Sequence, residues 1–254
     1  MLFDTHAHYY DRRFDCDRDD ILSSMKENNV GYIINAGCDV KSTKECIALS
    51  EKYDFCYATA GFHPGNIRGE VTEGDLLEIE KLASHPSVKA IGEIGLDYHY
   101  EGFDKLQQQD IFAKQISIAE RLNMPIIIHS RDACADTLDV LRSEYKETGG
   151  VWHCFGESVE TAKIALRLGL SFSIGGTVTF SNNRRAVEAV EYIPLENILL
   201  ETDAPYLAPP PHRGKRNSSL YIHLVAEKIA EIKRITPEEV ENATTENAKK
   251  LFGI

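Results

Sequence analysis

Two histidines, His6 and His8, stand two residues apart at the end of a short, mostly apolar run that begins at Leu2. Alternate side chains of a strand point to the same face, so both imidazoles can reach one metal ion. The pair alone is a weak signal, because histidines also satisfy hydrogen bonds in cores. It gains weight because titratable residues recur at the ends of later apolar runs: His63, Glu93, His129, His153 and Asp203. Burying so many ionisable groups without partners is costly, and a bound cation removes that cost. Imidazole and carboxylate suit Zn2+, Mn2+, Ni2+ or Fe2+ better than Ca2+. The donors His6, His8, Glu93, His129, His153 and Asp203 are too many for one tetrahedral zinc. They suit two divalent ions sharing a carboxylate, and Glu93, from the middle of the strand order, is the expected bridge. Such a pair would make water a nucleophile, with Asp203 expected to orient it and accept its proton.

The elements that must position these groups follow from patterning. Strands are expected at residues 2–8, 30–37, 56–64, 88–97, 125–130, 150–155, 170–176 and 197–205. Helices are expected near 19–28, 42–52, 75–84, 105–122, 132–146, 159–168, 183–191, 220–233 and 237–252. Ile111, Phe112, Ile116 and Ala119 show helical spacing, and Thr236-Pro237 is a helix start with a threonine cap. Ile126-Ile127-Ile128 is apolar throughout, as a strand covered on both faces should be. Eight such units predict a single-domain (β/α)8 TIM barrel over residues 1–254. An open doubly wound sheet is the alternative, but it lacks its Gly-rich turn after the first strand. In a barrel the C-terminal strand ends share one face, where active sites lie. Each titratable residue named above is expected there, His63 ending the third strand, Glu93 the fourth and His153 the sixth.

The chain carries 28 Lys and Arg against 40 Asp and Glu, a net charge of −12. That excludes wholesale non-specific binding to nucleic acid. A local basic segment remains, His212-Arg213-Gly214-Lys215-Arg216, in a proline-restricted loop suited to a phosphate-bearing substrate; an ordinary solvated loop is the other reading. His63, in a Gly-Phe-His-Pro turn, is either a substrate contact or a turn histidine. Arg131 could hold an anionic group. Asp97 could brace the loop that carries His99. His85 is expected at a helix end and His223 on a helix surface. Cys154 and Trp152 are expected to pack on the face opposite His153. The six cysteines form no CxxC pair and fit reduced thiols. No eighteen-residue apolar run and no basic-then-apolar leader are present, so a cytoplasmic monomer without membrane contact is expected.

These residues resemble the TatD family of metal-dependent deoxyribonucleases, within the amidohydrolase-like barrels. The resemblance runs through Asp4-Thr5-His6-Ala7-His8, Gly61-Phe62-His63-Pro64, Gly92-Glu93-Ile94-Gly95-Leu96-Asp97-Tyr98, His129-Ser130-Arg131, His153-Cys154-Phe155 and Glu201-Thr202-Asp203-Ala204-Pro205-Tyr206-Leu207 into His212-Arg213-Gly214. It implies one ion on His6, His8, Glu93 and Asp203, and a second on Glu93, His129 and His153. It implies Mg2+, Mn2+ or Zn2+ as cofactor and exonucleolytic cleavage of DNA, with a single strand or frayed end as partner. His63, Arg131 and Arg213 would touch the substrate. Where the family often has His-Asp, Ser-Gly and Asn-Glu-Pro, this chain has Gly65-Asn66, Gly156-Glu157 and Asn217-Ser218-Ser219. All expected ligands survive; the changes surround the substrate. Hydrolysis of a carbonyl ester or amide, on an aminoacyl-tRNA for example, is the alternative activity. Non-catalytic metal or nucleic-acid binding is a third.

Overall fold

The computed structural model describes residues 1–67, 71–146 and 148–254. Among these, the strands are β1 (Leu2–Ala7), β2 (Val30–Asn35), β3 (Cys56–Ala60), β4 (Val88–Asp97), β5 (Ile126–Arg131), β6 (Gly150–Trp152), β7 (Ser171–Ile174) and β8 (Ile198–Leu200). They form one sheet in sequence order, all neighbours parallel. The helices are α1 (Arg18–Ser23), α2 (Val40–Lys52), α3 (Glu73–Ala83), α4 (Lys105–Leu122), α5 (Cys134–Glu144), α6 (Val159–Arg167), α7 (Arg184–Tyr192), α8 (Ile222–Lys233) and α9 (Pro237–Phe252). This is the (β/α)8 barrel that the alternation predicts.

First and last strands meet along a hydrogen-bonded seam. Ala7 bridges Ala204. Asp203 N–H donates to His6 O at 2.9 Å, and His8 N–H to Ala204 O at 2.7 Å. Buried Asp4 accepts from Thr202 N–H at 2.9 Å and from the Thr202 and Ser219 hydroxyls at 2.6 Å each. The seam therefore fixes where His6, His8 and Asp203 lie relative to one another.

The barrel interior is layered. Phe3 of β1, Ile34 of β2, Ala90 of β4, Ile127 of β5, Val151 of β6 and Leu199 of β8 pack in one buried cluster with Ala248 and Phe252 of α9. β1 and β5 face each other across the ring, so this cluster spans the inside. Two residues further along, the same inward face carries His129 after Ile127, His153 after Val151 and Glu201 after Leu199. An apolar floor, closed by α9, thus lies beneath a polar layer.

α4, β4 and α9 coincide with their expected spans, and α9 begins with a capping box between Thr236 and Glu239. The strands β3, β6, β7 and β8 end earlier than expected. Two placements need correction. Glu93 does not end β4; the strand continues four residues to Asp97. Glu93 sits where the β4–β5 register shifts, between Ile91 and Ile94, and a bulge of this kind re-aims a side chain. Cys154 does not pack on the far side of β6. It lies beyond the strand end with φ +47°, and it lines the cavity beside His153. Trp152 is buried in the core, as expected.

Candidate metal centre

A cavity of about 630 Å³ opens at the C-terminal strand ends. His8, His63, Glu93, His129, His153 and Asp203 line it, and His6 lies buried beneath. Its centre is Glu93, whose two carboxylate oxygens face different partners. Oε2 lies 3.2 Å from His6 Nε2 and 3.9 Å from His8 Nε2. Oε1 lies 2.7 Å from His129 Nδ1, 3.3 Å from His153 Nε2 and 3.5 Å from His63 Nε2. Asp203 Oδ1 closes the first side, 3.2 Å from His8 Nε2 and 3.9 Å from His6 Nε2. The His6 and His8 Nε2 atoms are 3.2 Å apart, as the shared strand face predicts.

The chain aims Glu93 through its backbone. Glu93 N–H donates to Gly37 O at 2.8 Å, and the Thr59 hydroxyl donates to Gly92 O. Gly95 follows, with φ +141°. A Cβ there would collide with the His129 carbonyl oxygen, so only glycine lets β4 approach β5 this closely.

Hydrogen bonds on the outer ring nitrogens sort these histidines. His8 Nδ1 lies 3.1 Å from Ala36 O; a carbonyl can only accept, so Nδ1 carries the proton and Nε2 faces the cavity. His153 Nδ1 lies 3.2 Å from Glu201 Oε2, which leaves Nε2 for the centre. His129 Nε2 lies 3.2 Å from Asp97 Oδ2, which leaves Nδ1. His63 is the opposite case. Its Nδ1 accepts from Gly65 N–H at 2.9 Å, so in the neutral ring Nε2 bears the proton and is a donor rather than a ligand. Burial, against the attraction of Glu93, lowers His63 to about 3, which keeps it neutral.

Charge is distributed accordingly. Burial pulls His153 down, but Glu201 and Glu93 outweigh it and raise it to about 9. His129 is raised too, burial being overcome by Asp97 and Glu93. His8 rises well above its ordinary value, burial being overcome by Asp203 and Cys38. Burial and neighbouring His153 lower His6. Burial opposes ionisation of Glu93 and Asp203, yet the surrounding histidines hold both below the usual carboxylate range.

Three sets of donors have atoms within 4.8 Å of one another: His6, His8 and Asp203; His6, Glu93 and His153; His63, Asp97 and His129. The first and second sets meet at His6. His129 stands between Glu93 and Asp97, grouped with His63 rather than with His153. Sequence reasoning assigned no role to Glu201, although an acid two residues past inward-facing Leu199 is a legible sign. It also left out Tyr10 and Cys38, which line the cavity beside His8. Asp97 does brace the following loop, accepting from His99 N–H at 2.9 Å, and it faces His129 as well.

Of the expected substrate contacts, His63 and Arg131 line the cavity and Arg213 does not. The Arg213 guanidinium lies 4.3 Å from the Phe180 ring centre. Arg216 is bound to Asp17 at 2.5 Å. The basic loop is therefore partly committed to its own surroundings. His85 follows the end of α3, and His223 is exposed on α8, both as expected.

Residues 3–253 match the family model described as TatD related DNase. YabD of Bacillus subtilis (strain 168), an uncharacterized metal-dependent hydrolase, is 44% identical over 255 residues, covering 100% of both chains. YcfH of Escherichia coli (strain K12), described in the same words, is 38% identical and covers 100% of this chain and 96% of its own. Among solved structures, YJJV, a TatD homolog from Escherichia coli K12, superposes with a TM-score of 0.93. It shares 28% identity and covers 100% of this chain and 98% of its own.

Proposed function

The chain belongs to the family of TatD-related DNases, a family of metal-dependent hydrolases, and from that premise we propose that it hydrolyses DNA phosphodiester bonds, working inward from a strand end. The observation that carries this reading is Glu93 at the floor of an open cavity, with one oxygen turned to His6 and His8 and the other to His129 and His153. The donor set fits two divalent cations, because ionised Glu93 and Asp203 and the inward nitrogens of His6, His8, His129 and His153 converge in one buried site. His6, His8, Asp203 and Glu93 Oε2 would hold one; Glu93 Oε1, His129 Nδ1 and His153 Nε2 would hold the other. When bound, Mg2+, Mn2+ or Zn2+ supplies Lewis-acid activation of water and of the phosphoryl group.

The chain's own residues do the rest. Asp97 and Glu201 hold protons on the outer nitrogens of His129 and His153, fixing each ring. Asp203 has an ionised carboxylate at the cavity wall and accepts the proton that the attacking water loses. His63 directs its Nε2 proton into the cavity, toward a phosphoryl oxygen. Arg131 supplies positive charge at the rim.

The test is digestion of end-labelled single-stranded DNA by protein loaded in turn with Mg2+, Mn2+ and Zn2+. Progressive shortening from one end, with two ions bound per chain, is the expected result. The His129→Ala, Glu93→Ala double variant should lose it. Equal cleavage by that variant would overturn the reading. The partly committed basic loop favours one second reading, hydrolysis of a carbonyl ester. Turnover of an ester panel with none of oligonucleotides would establish it instead.

A further inference from the structure

Two exposed tyrosines at the cavity mouth supply no ligand to the metal centre, although the Tyr206 ring stands edge-on to His8, 6.0 Å between ring centres. Tyr206 follows β8 and is 44% exposed; Tyr100 follows β4 and is 57% exposed. Both line the cavity. In a ring ordered β1 to β8, the β8–β1 seam and the β4–β5 pair lie diametrically opposite. The two rings therefore stand on facing walls.

Each ring is backed by a guanidinium. Arg13 lies 4.0 Å from the Tyr206 ring centre, and Arg131 lies 5.4 Å from that of Tyr100. The two arginines differ in charge balance. Arg13 is neutralised by a two-point ion pair with Asp11, at 3.0 and 2.9 Å. Arg131 has no carboxylate partner among the described residues; its guanidinium donates to the Tyr100 hydroxyl at 3.4 Å. One wall offers an aromatic face whose cation is already satisfied. The other offers an aromatic face with a free cation beside it.

Building on the DNA-hydrolysing reading, we infer that Tyr206 and Tyr100 are opposed stacking platforms for the unpaired bases that flank the phosphate under attack, with Arg131 holding a neighbouring phosphate. A base inside a duplex is stacked between its neighbours and cannot lie on a tyrosine, so the platforms select single strands. Stacking also suits this acidic protein. It needs no basic groove, and every base presents a π face.

The experiment is equilibrium binding of fluorescently labelled eight-nucleotide thymidine strands. Abasic strands of equal length and charge, and the matched duplex, serve as comparisons. Cleavage and bound metal are measured alongside. Tyr100→Ala and Tyr206→Ala are each expected to weaken binding of the thymidine strand by roughly 5- to 150-fold. Their binding of the abasic strand should match that of the wild-type protein. Tyr100→Phe and Tyr206→Phe, which keep the ring, should restore binding, with metal content unchanged throughout. Wild-type cleavage with unaltered binding by both alanine variants would overturn the platforms and leave the hydrolytic reading standing. Equal wild-type affinity for thymidine and abasic strands, or preference for duplex, would also overturn them. A wild-type protein that neither binds nor cuts DNA would sink both readings.

Discussion

At the scale of single residues, the centre is an exchange of protons for cations. His8, His129 and His153 each have a raised pKa because carboxylates outweigh burial: Asp203, with Cys38, at His8, Asp97 and Glu93 at His129, and Glu201 and Glu93 at His153. Without metal, the shifts favour the protonated form of these three rings, and His153, raised to about 9, is protonated near neutral pH. A ligating imidazole must give up its inward proton, so loading releases protons and affinity rises with pH. Calorimetric titration with Zn2+ in two buffers of different ionisation heat should show net proton release at pH 7. Affinity should climb as the pH rises through about 9, where His153 gives up its proton. Proton-neutral loading would contradict this assignment. The same shift has the opposite sense for the metal-free fold. His153 contributes stability that is complete below its ordinary value of 6.5 and is lost as the pH rises through about 9. These residue types and their spacing were legible in the sequence. His63 was set apart from the ligands in the sequence too, but the physical reason was not legible: its outer nitrogen meets the Gly65 amide, where those of the ligating rings meet a carbonyl or a carboxylate.

Among the elements, legibility followed periodicity. The spans of α4 and α9 coincide with their patterns because caps mark their ends: Asp104 before α4, Thr236 before α9. Strand ends were overextended because the chemistry lies past the last ladder hydrogen bond, where Cys154 and Asp203 take positive φ. No apolar pattern announces that bend. Nor does one announce the irregular register that aims Glu93. The β1–β8 seam was equally hidden, since Asp4 reads as one more acid until Thr202 and Ser219 surround it. Asp4→Ala would leave the Thr202 amide and two hydroxyls buried without their acceptor. It should destabilise the protein by about 2–4 kcal/mol in urea unfolding. A loss below ~0.5 kcal/mol would show that the seam holds without it.

For the whole molecule, a net charge of −12 opposes the approach of a polyanion. With Arg216 paired to Asp17 and Arg213 outside the cavity, few phosphates can be neutralised. The affinity for single-stranded DNA should therefore depend weakly on salt. A logarithmic slope smaller than about 2 is expected, against roughly 0.7 per neutralised phosphate; a steep slope would contradict this. The barrel itself was predictable from eight alternations. The same alternations split the donor set between the two ends of the polypeptide. Glu93, His129 and His153 emerge from the ribosome well before Asp203, whereas His6 and His8 emerge first and wait nearly two hundred residues for it. A nascent chain cannot assemble the His6–His8–Asp203 side until its last strand is made. A cation held on that side would thus be a chemical record that translation has passed β8, and a chain truncated before it would lack that half of the centre.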